Sequence, residues 1–128
     1  MADKSPSLRL LVLRSAKTDE MLACYSAIGL GFKQEQHGTG PLHHSAQIEA
    51  TVFELYPLGS KDATDTTTRL GFSVDDLYKT LDRLRAVNVE LSREPENTPW
   101  GRRAVVRDPD GRSVELYERT MTESRGAS

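Results

Sequence analysis

The chain has 128 residues, 37% hydrophobic and 28% charged, with 17 Lys and Arg against 19 Asp and Glu for a net charge of −2. That suffices for one domain with its own core, and it leaves neither the positive excess that draws in nucleic acid nor a block of like charge for a binding tail. Cys24, the single cysteine, excludes an internal disulfide framework, and the longest strongly apolar run, Leu10 to Leu13, falls far short of the ~20 residues of a membrane span. The polar start, Met1 to Ser7, lacks the apolar core of a signal peptide, so a cytoplasmic location is expected, with no membrane or nucleic-acid partner. This stretch and Thr120 to Ser128 read as flexible ends.

Leu8 to Arg14 is a short, branched-rich run and reads as a strand. Thr18-Asp19-Glu20 offers a helix start, Met21, Leu22, Tyr25 and Ile28 come after it at helical spacing, and Gly29 supplies the stop. Phe32 to Gln36 is a second strand and His37-Gly38-Thr39-Gly40-Pro41 a loop. Leu42 to Ile48 and Thr51 to Tyr56 form a hairpin around Glu49-Ala50, and Pro57 to Thr67 is a connecting segment. The second half repeats the order. Arg69 to Val74 is a strand, Asp75-Asp76 opens a helix with Leu77, Leu81, Leu84 and Val87 on one face, and Val89 to Ser92 is a short strand. Glu94 to Gly101 reads as a loop carrying two prolines and Trp100. Arg103 to Arg107 and Ser113 to Glu118 form a hairpin around Asp108-Pro109-Asp110-Gly111, whose proline and final glycine suit a type I turn. Glu54-Leu55-Tyr56 recurs as Glu115-Leu116-Tyr117, and Arg9-Leu10 as Arg69-Leu70, each at the same place in its half. A duplicated unit of about 60 residues buries little alone, so the halves must pack together or against another chain.

This βαβββ order, given twice, resembles the vicinal oxygen chelate superfamily of glyoxalases, extradiol dioxygenases, fosfomycin-modifying enzymes and bleomycin-resistance proteins. The resemblance is carried by the strand and helix from Leu10 that end in LACYSAIGLGF, then by TVFELYP, RLGFSVDDL and WGRRAVVRDPDGRSVELYE. It implies an α+β fold with a single domain over 8–119, repeat one at 8–57, a linker at 58–67 and repeat two at 68–119. The two repeats would form an open barrel around a concave cleft, in a homodimer. Metal-using members hold a divalent ion with one residue from the first strand of each repeat, usually His, and one from the last, usually Glu. The last-strand positions match Glu54 and Glu115. The first-strand position of repeat two matches Arg69, and its counterpart is Arg9, with Leu10 as the alternative register. An arginine has five donors and no lone pair, so it cannot ligate a cation. Arg9 and Arg69 are therefore expected to neutralise Glu54 and Glu115 where relatives keep a metal, and no cofactor is expected. The alternative is one divalent ion such as Zn, Ni, Mn or Fe on His43, Glu54 and Glu115.

Strand alternation puts Val52 and Tyr56 on the face of Glu54, and Ser113 and Tyr117 on that of Glu115. It groups Arg9 with Leu11 and Leu13, and Arg69 with Gly71 and Ser73. A two-residue turn at Glu49-Ala50 pairs Ser45 with Glu54 and His43 with Tyr56, which brings His43 diagonal to Glu54. A one-residue slip would exchange His43 for His44. His37 is expected in solvent and Cys24 in the core. Trp100 either caps the cleft or is buried under its loop or in a dimer seam, and one of Arg102 and Arg103 enters the cleft. Apolar Leu11, Leu13, Val52 and Val106 with Arg9, Arg69, His43, Tyr56, Trp100, Arg102 and Tyr117 suit a small organic ligand, aromatic or anionic. Three functions compete: a binding module, a metal-dependent glyoxalase-type lyase, transferase or dioxygenase, and a metal-free isomerase or epimerase with Glu54 or Glu115 as its base. Binding is preferred, because Arg69 opposes a metal and an arginine partner weakens a carboxylate as a base.

Overall fold

In the computed structural model, which describes residues 4–120, the βαβββ order occurs twice. The first half is β1 (Leu10–Ser15), α1 (Thr18–Ile28), β2 (Phe32–Glu35), β3 (His43–Ile48) and β4 (Thr51–Pro57). The second is β5 (Leu70–Val74), α2 (Leu77–Ala86), β6 (Glu90–Thr98), β7 (Gly101–Arg107) and β8 (Ser113–Glu118). Of the ends expected to be flexible, residues 1–3 and 121–128 lie outside the described residues, and Lys4 to Ser7 form no regular element. No described helix is long and apolar enough to cross a membrane.

Each half builds one four-stranded sheet, in the orders β1-β4-β3-β2 and β5-β8-β7-β6. The first strand runs parallel to the last, and the remaining pairs are antiparallel. The sheets stay separate and do not close into a barrel. One continuous core joins them: Met21, Cys24, Tyr25 and Ile28 of α1 and Leu77, Leu81 and Leu84 of α2 pack with Phe53, Leu55, Val106 and Leu116 from the two sheets. Tyr25 bridges the halves, its ring centre 5.1 Å from that of Phe53 and 6.1 Å from that of Phe72. Leu55 and Leu116, the middle residues of the repeated triplet, are both fully buried. Alternation therefore turns the flanking Glu and Tyr of each half away from the core.

Local chemistry accounts for most boundaries. Asp76 caps α2 by accepting from the Lys79 N–H. Thr18 does not cap α1; the helix starts after Lys17, whose N–H goes to Ser15 Oγ. Gly29, at φ 129°, ends α1 in a backbone region that side chains disfavour. Val87 lies just past the end of α2 and is exposed, so the buried face is completed by Thr80 instead. The loop expected over Glu94 to Gly101 is mostly strand. β6 continues to Thr98 as an edge strand with register shifts between Leu91 and Arg93 and between Arg93 and Glu96. Irregular pairing on an edge accommodates Pro95, which has no N–H to give a ladder.

The Asp108–Gly111 turn forms as expected, with Gly111 N–H donating to the Asp108 carbonyl at 2.8 Å. It also does something its composition did not announce. Arg112, 1% exposed, donates to Asp108 Oδ2 at 3.2 Å, to Asp110 Oδ2 at 3.1 Å and to the Arg14 carbonyl at 3.3 Å. The Tyr25 hydroxyl donates to Asp108 Oδ2 at 2.8 Å. A turn of the second half is thereby fixed to α1 and β1 of the first. Burial, then the Asp108 charge, hold the Tyr25 phenol well above its ordinary range. The same two causes push the Cys24 thiol up to about 12, which fits the expected core cysteine.

Candidate functional site

The outward face of each sheet carries the polar residues. In the first half, Leu10, Val12 and Arg14 lie beside Val52, Glu54 and Tyr56. Leu11 and Leu13 face the other way and pack on the core, so the expected grouping of Arg9 with them on the cleft side is overturned. Arg9 is exposed and precedes β1, giving its carbonyl to the Val52 N–H at 2.7 Å. No bond from Arg9 to Glu54 occurs among the described residues. Val12 stands across from Glu54 and Gly71 across from Glu115, so Leu10, two residues before Val12, is the counterpart of Arg69.

In the second half the expected pairing is present. Arg69 Nη2 reaches Glu115 Oε1 at 3.3 Å, and Arg103 Nη1 reaches the same oxygen at 3.0 Å. Arg103 also holds Glu96 at 3.2 Å. Of the two adjacent arginines it is Arg103, opposite Tyr117 in the β7–β8 ladder, that shares the face of Glu115. Arg102 turns toward α2, its guanidinium carbon 5.7 Å from the Tyr78 ring centre. Val106 is likewise removed from the cleft, being 1% exposed in the core. A groove of about 700 Å³ is lined by Arg69, Arg93, Arg103, Arg107 and Glu115. A hollow of about 400 Å³ is lined by Ser73, Trp100, Tyr117 and Glu118. Trp100 is 77% exposed in the turn from β6 to β7, not buried beneath it.

In the first half the two-residue turn sets the register: Ser45 pairs with Glu54, and His44 with Leu55. His43 therefore shares the open face, with its ring stacked on Tyr56 at 4.2 Å and 8°. Its Nε2 lies 3.6 Å from Glu54 Oε2, 3.7 Å from Glu35 Oε1 and 3.4 Å from the Tyr56 hydroxyl. Its Nδ1 lies 3.3 Å from the Pro41 carbonyl. Glu35, absent from the expected set, sits directly across from His43 in the β2–β3 ladder. Extending the alternation by one more strand would have found it. The Ser45 hydroxyl donates to Glu35, and this bond, with the Lys33 charge adding to it, holds the Glu35 carboxyl below its ordinary range. His37 is exposed as expected, but its ring lies 5.1 Å from that of His43. A cavity of about 650 Å³ takes in Arg14, Glu54, Tyr56, Asp62 and Asp65, so the linker wraps over this face rather than merely joining the halves.

The residues present do not fit the strand-borne divalent ion that the resemblance implies. Glu54 and Glu115 are in place, but the first strands offer Leu10 and Val12, and Arg69 and Gly71, none of which has a side-chain lone pair to give a metal. The fallback set of His43, Glu54 and Glu115 also fails to gather: among the described residues, the ligand atoms that come together around His43 are those of Glu35 and His37.

The sequence model of the Glyoxalase/Bleomycin resistance protein/Dioxygenase superfamily matches residues 8–116. The chain belongs to this superfamily. Among curated superfamily relatives, a probable chloroplastic lactoylglutathione lyase of Arabidopsis thaliana is 33% identical over 87 residues, 66% of this chain. The match spans 24% of the plant protein's length. Among solved structures, TnmS3, an antibiotic-binding protein from Streptomyces sp. CB03234, superposes with a TM-score of 0.72 at 22% identity. That likeness covers 93% of this chain and 100% of the other. A glyoxalase/bleomycin resistance protein from the same Streptomyces strain gives a TM-score of 0.64 at 24% identity, covering 88% and 100%. These likenesses establish the fold.

Proposed function

We propose that this superfamily member is a small-molecule-binding protein whose second-half groove takes a flat aromatic anion, with no obligatory metal at the strand-borne ion position. The reading rests on one observation: Arg69, Arg93, Arg103 and Arg107 converge around Glu115 in a single groove. Four guanidinium groups outnumber Glu115 and the Glu96 that Arg103 also holds, so donors remain for an anion, and they match a carboxylate in two-point fashion. Tyr117 stands two residues beyond Glu115 on the same face of β8, about 7 Å along the strand, with Trp100 beside it. Cationic and aromatic surfaces at that spacing suit the acid group and ring of a small aromatic acid. The antibiotic-binding protein of Streptomyces lends precedent on the same fold. We also infer a homodimer, because β1 is an edge strand with Leu8 and Leu10 exposed, and a second copy would cover them. Light scattering on the purified chain tests that part.

For the ligand, metal-free protein is titrated by calorimetry with naphthoate and with its neutral amide, with Trp100 emission tracked in parallel. Naphthoate should bind at least about tenfold more tightly, the lower end of what a charge-assisted bond contributes. Arg103→Met should abolish the preference. Equal affinity for acid and amide, or a turnover that requires a metal, overturns the reading.

A further inference from the structure

The first half carries a feature that the aromatic-anion groove does not use. A backbone carbonyl can only accept, so the contact of His43 Nδ1 with Pro41 O places a proton on Nδ1 and leaves Nε2 as the ring position open to a cation. The lone pair on Nε2 then faces Glu35 Oε1 at 3.7 Å and Glu54 Oε2 at 3.6 Å, in a site where His43 is only 1% exposed. A lone pair against two carboxylates is repulsive, and the Tyr56 hydroxyl at 3.4 Å is a weak remedy. A positive charge at Nε2, whether a proton or a metal ion, would resolve it. The loop after β2 brings in a further nitrogen. Gly40 N–H closes onto the His37 carbonyl at 3.0 Å, Gly38 takes φ 61°, and a Cβ on Gly40 would stand 3.1 Å from that carbonyl. This glycine turn lays the His37 ring beside that of His43.

We propose that Glu35, His37 and His43 form a binding site for a divalent first-row metal ion of the zinc class. One ligand atom from each lies within 4.8 Å of the others. Two imidazoles and a carboxylate are a known donor set for such ions, at metal–ligand distances of about 2.0–2.2 Å. The exposed His37 can close the remaining gap on its glycine loop. The Pro41 carbonyl plays the part that outer partners play for metal-binding histidines, fixing the ring so that the other nitrogen is presented. The donors come from β2, the loop after it and β3, not from the first and last strands where the superfamily seats its ion. Glu54 stands beside the set as a neighbouring carboxylate.

The test is titration of chelator-treated protein with Zn²⁺ by calorimetry and with Co²⁺ by visible absorption. One ion per chain should bind, with Co²⁺ giving ligand-field bands of a nitrogen–oxygen set. His37→Ala, a change on an exposed loop whose folding is checked by circular dichroism, should weaken binding at least about tenfold, the lower end of what even outer-partner losses cost. Glu35→Gln should do the same, and Glu115→Gln should leave the ion bound. No saturable binding of either ion, unchanged affinity in His37→Ala, or loss of the ion in Glu115→Gln overturns the proposal.

Discussion

Replacing Tyr25 by Phe removes one oxygen from the core and leaves the ring that packs on Phe53 and Phe72. The lost hydroxyl donates at 2.8 Å to Asp108, which is 3% exposed, and bonds to charged groups contribute about 1.5–3 kcal/mol. Asp108 Oδ2 keeps Arg112 at 3.2 Å, so the carboxylate is not stranded and the expected loss lies near the lower end, about 1.5–2 kcal/mol. With an unfolding entropy of ~2.1 cal/mol/K per residue, that lowers Tm by roughly 6–7 °C. Urea unfolding monitored by far-ultraviolet circular dichroism gives the free energy, and calorimetry gives Tm. Asp108→Asn takes one of two close carboxylates from buried Arg112, which keeps Asp110 at 3.1 Å, and should cost more than Tyr25→Phe, about 3 kcal/mol, the lower end for breaking a buried pair. A Tyr25→Phe loss below about 0.5 kcal/mol, a surface-like value, would refute the claim that this bond ties the halves together.

Cys24 should resist thiol reagents in the native protein and react at once in denaturant, because its thiol is fully buried and its pKa pushed up to about 12. Cys24 and Tyr25 are both held neutral above their ordinary values, so the stability they confer is whole below pH 9 and is lost as pH rises toward about 12. Thermal melts across that range should record the decline. Glu35 runs the opposite way: held below its ordinary 4.5, it adds stability above that pH and loses it as the solution is acidified. Ser45→Ala should move the Glu35 titration upward in carbon-detected NMR. Gly111→Ala should destabilise by about 1–2 kcal/mol in urea, since φ is 94° there and a side chain disfavours that region.

Short-range chemistry carried much of this molecule into its sequence. The two-residue turn at Glu49-Ala50 dictated the register that sets His43 diagonal to Glu54, and the repeated Glu-Leu-Tyr triplet marked equivalent places on β4 and β8. Arg69 beside Glu115 came from the same correspondence. The phase of β1 was not legible, because Leu10 to Leu13 are all apolar and show no alternation to separate one face from the other. A shift of one residue put Arg9 in the place of Leu10. The choice between Arg102 and Arg103 had the same origin, as adjacent residues on a strand differ only by phase. The irregular pairing that extends β6 through Pro95 has no local signal beyond the proline itself. The burial of Arg112 has no local signal, because Arg14, whose carbonyl it reaches, and Tyr25, which shares its Asp108, come from the other half of the chain. His37 was placed correctly in solvent, yet only the path of its glycine loop brings it over His43.

The chain's one tryptophan stands at the outer tip between β6 and β7, with 77% of its surface bare. Its indole meets almost the same medium in the native and the denatured chain, so its emission wavelength should hardly change through a urea melt. A molecule settling against Tyr117 is what would alter it. Under the proposed ligand binding, the chain's own fluorophore would report occupancy while staying silent to unfolding.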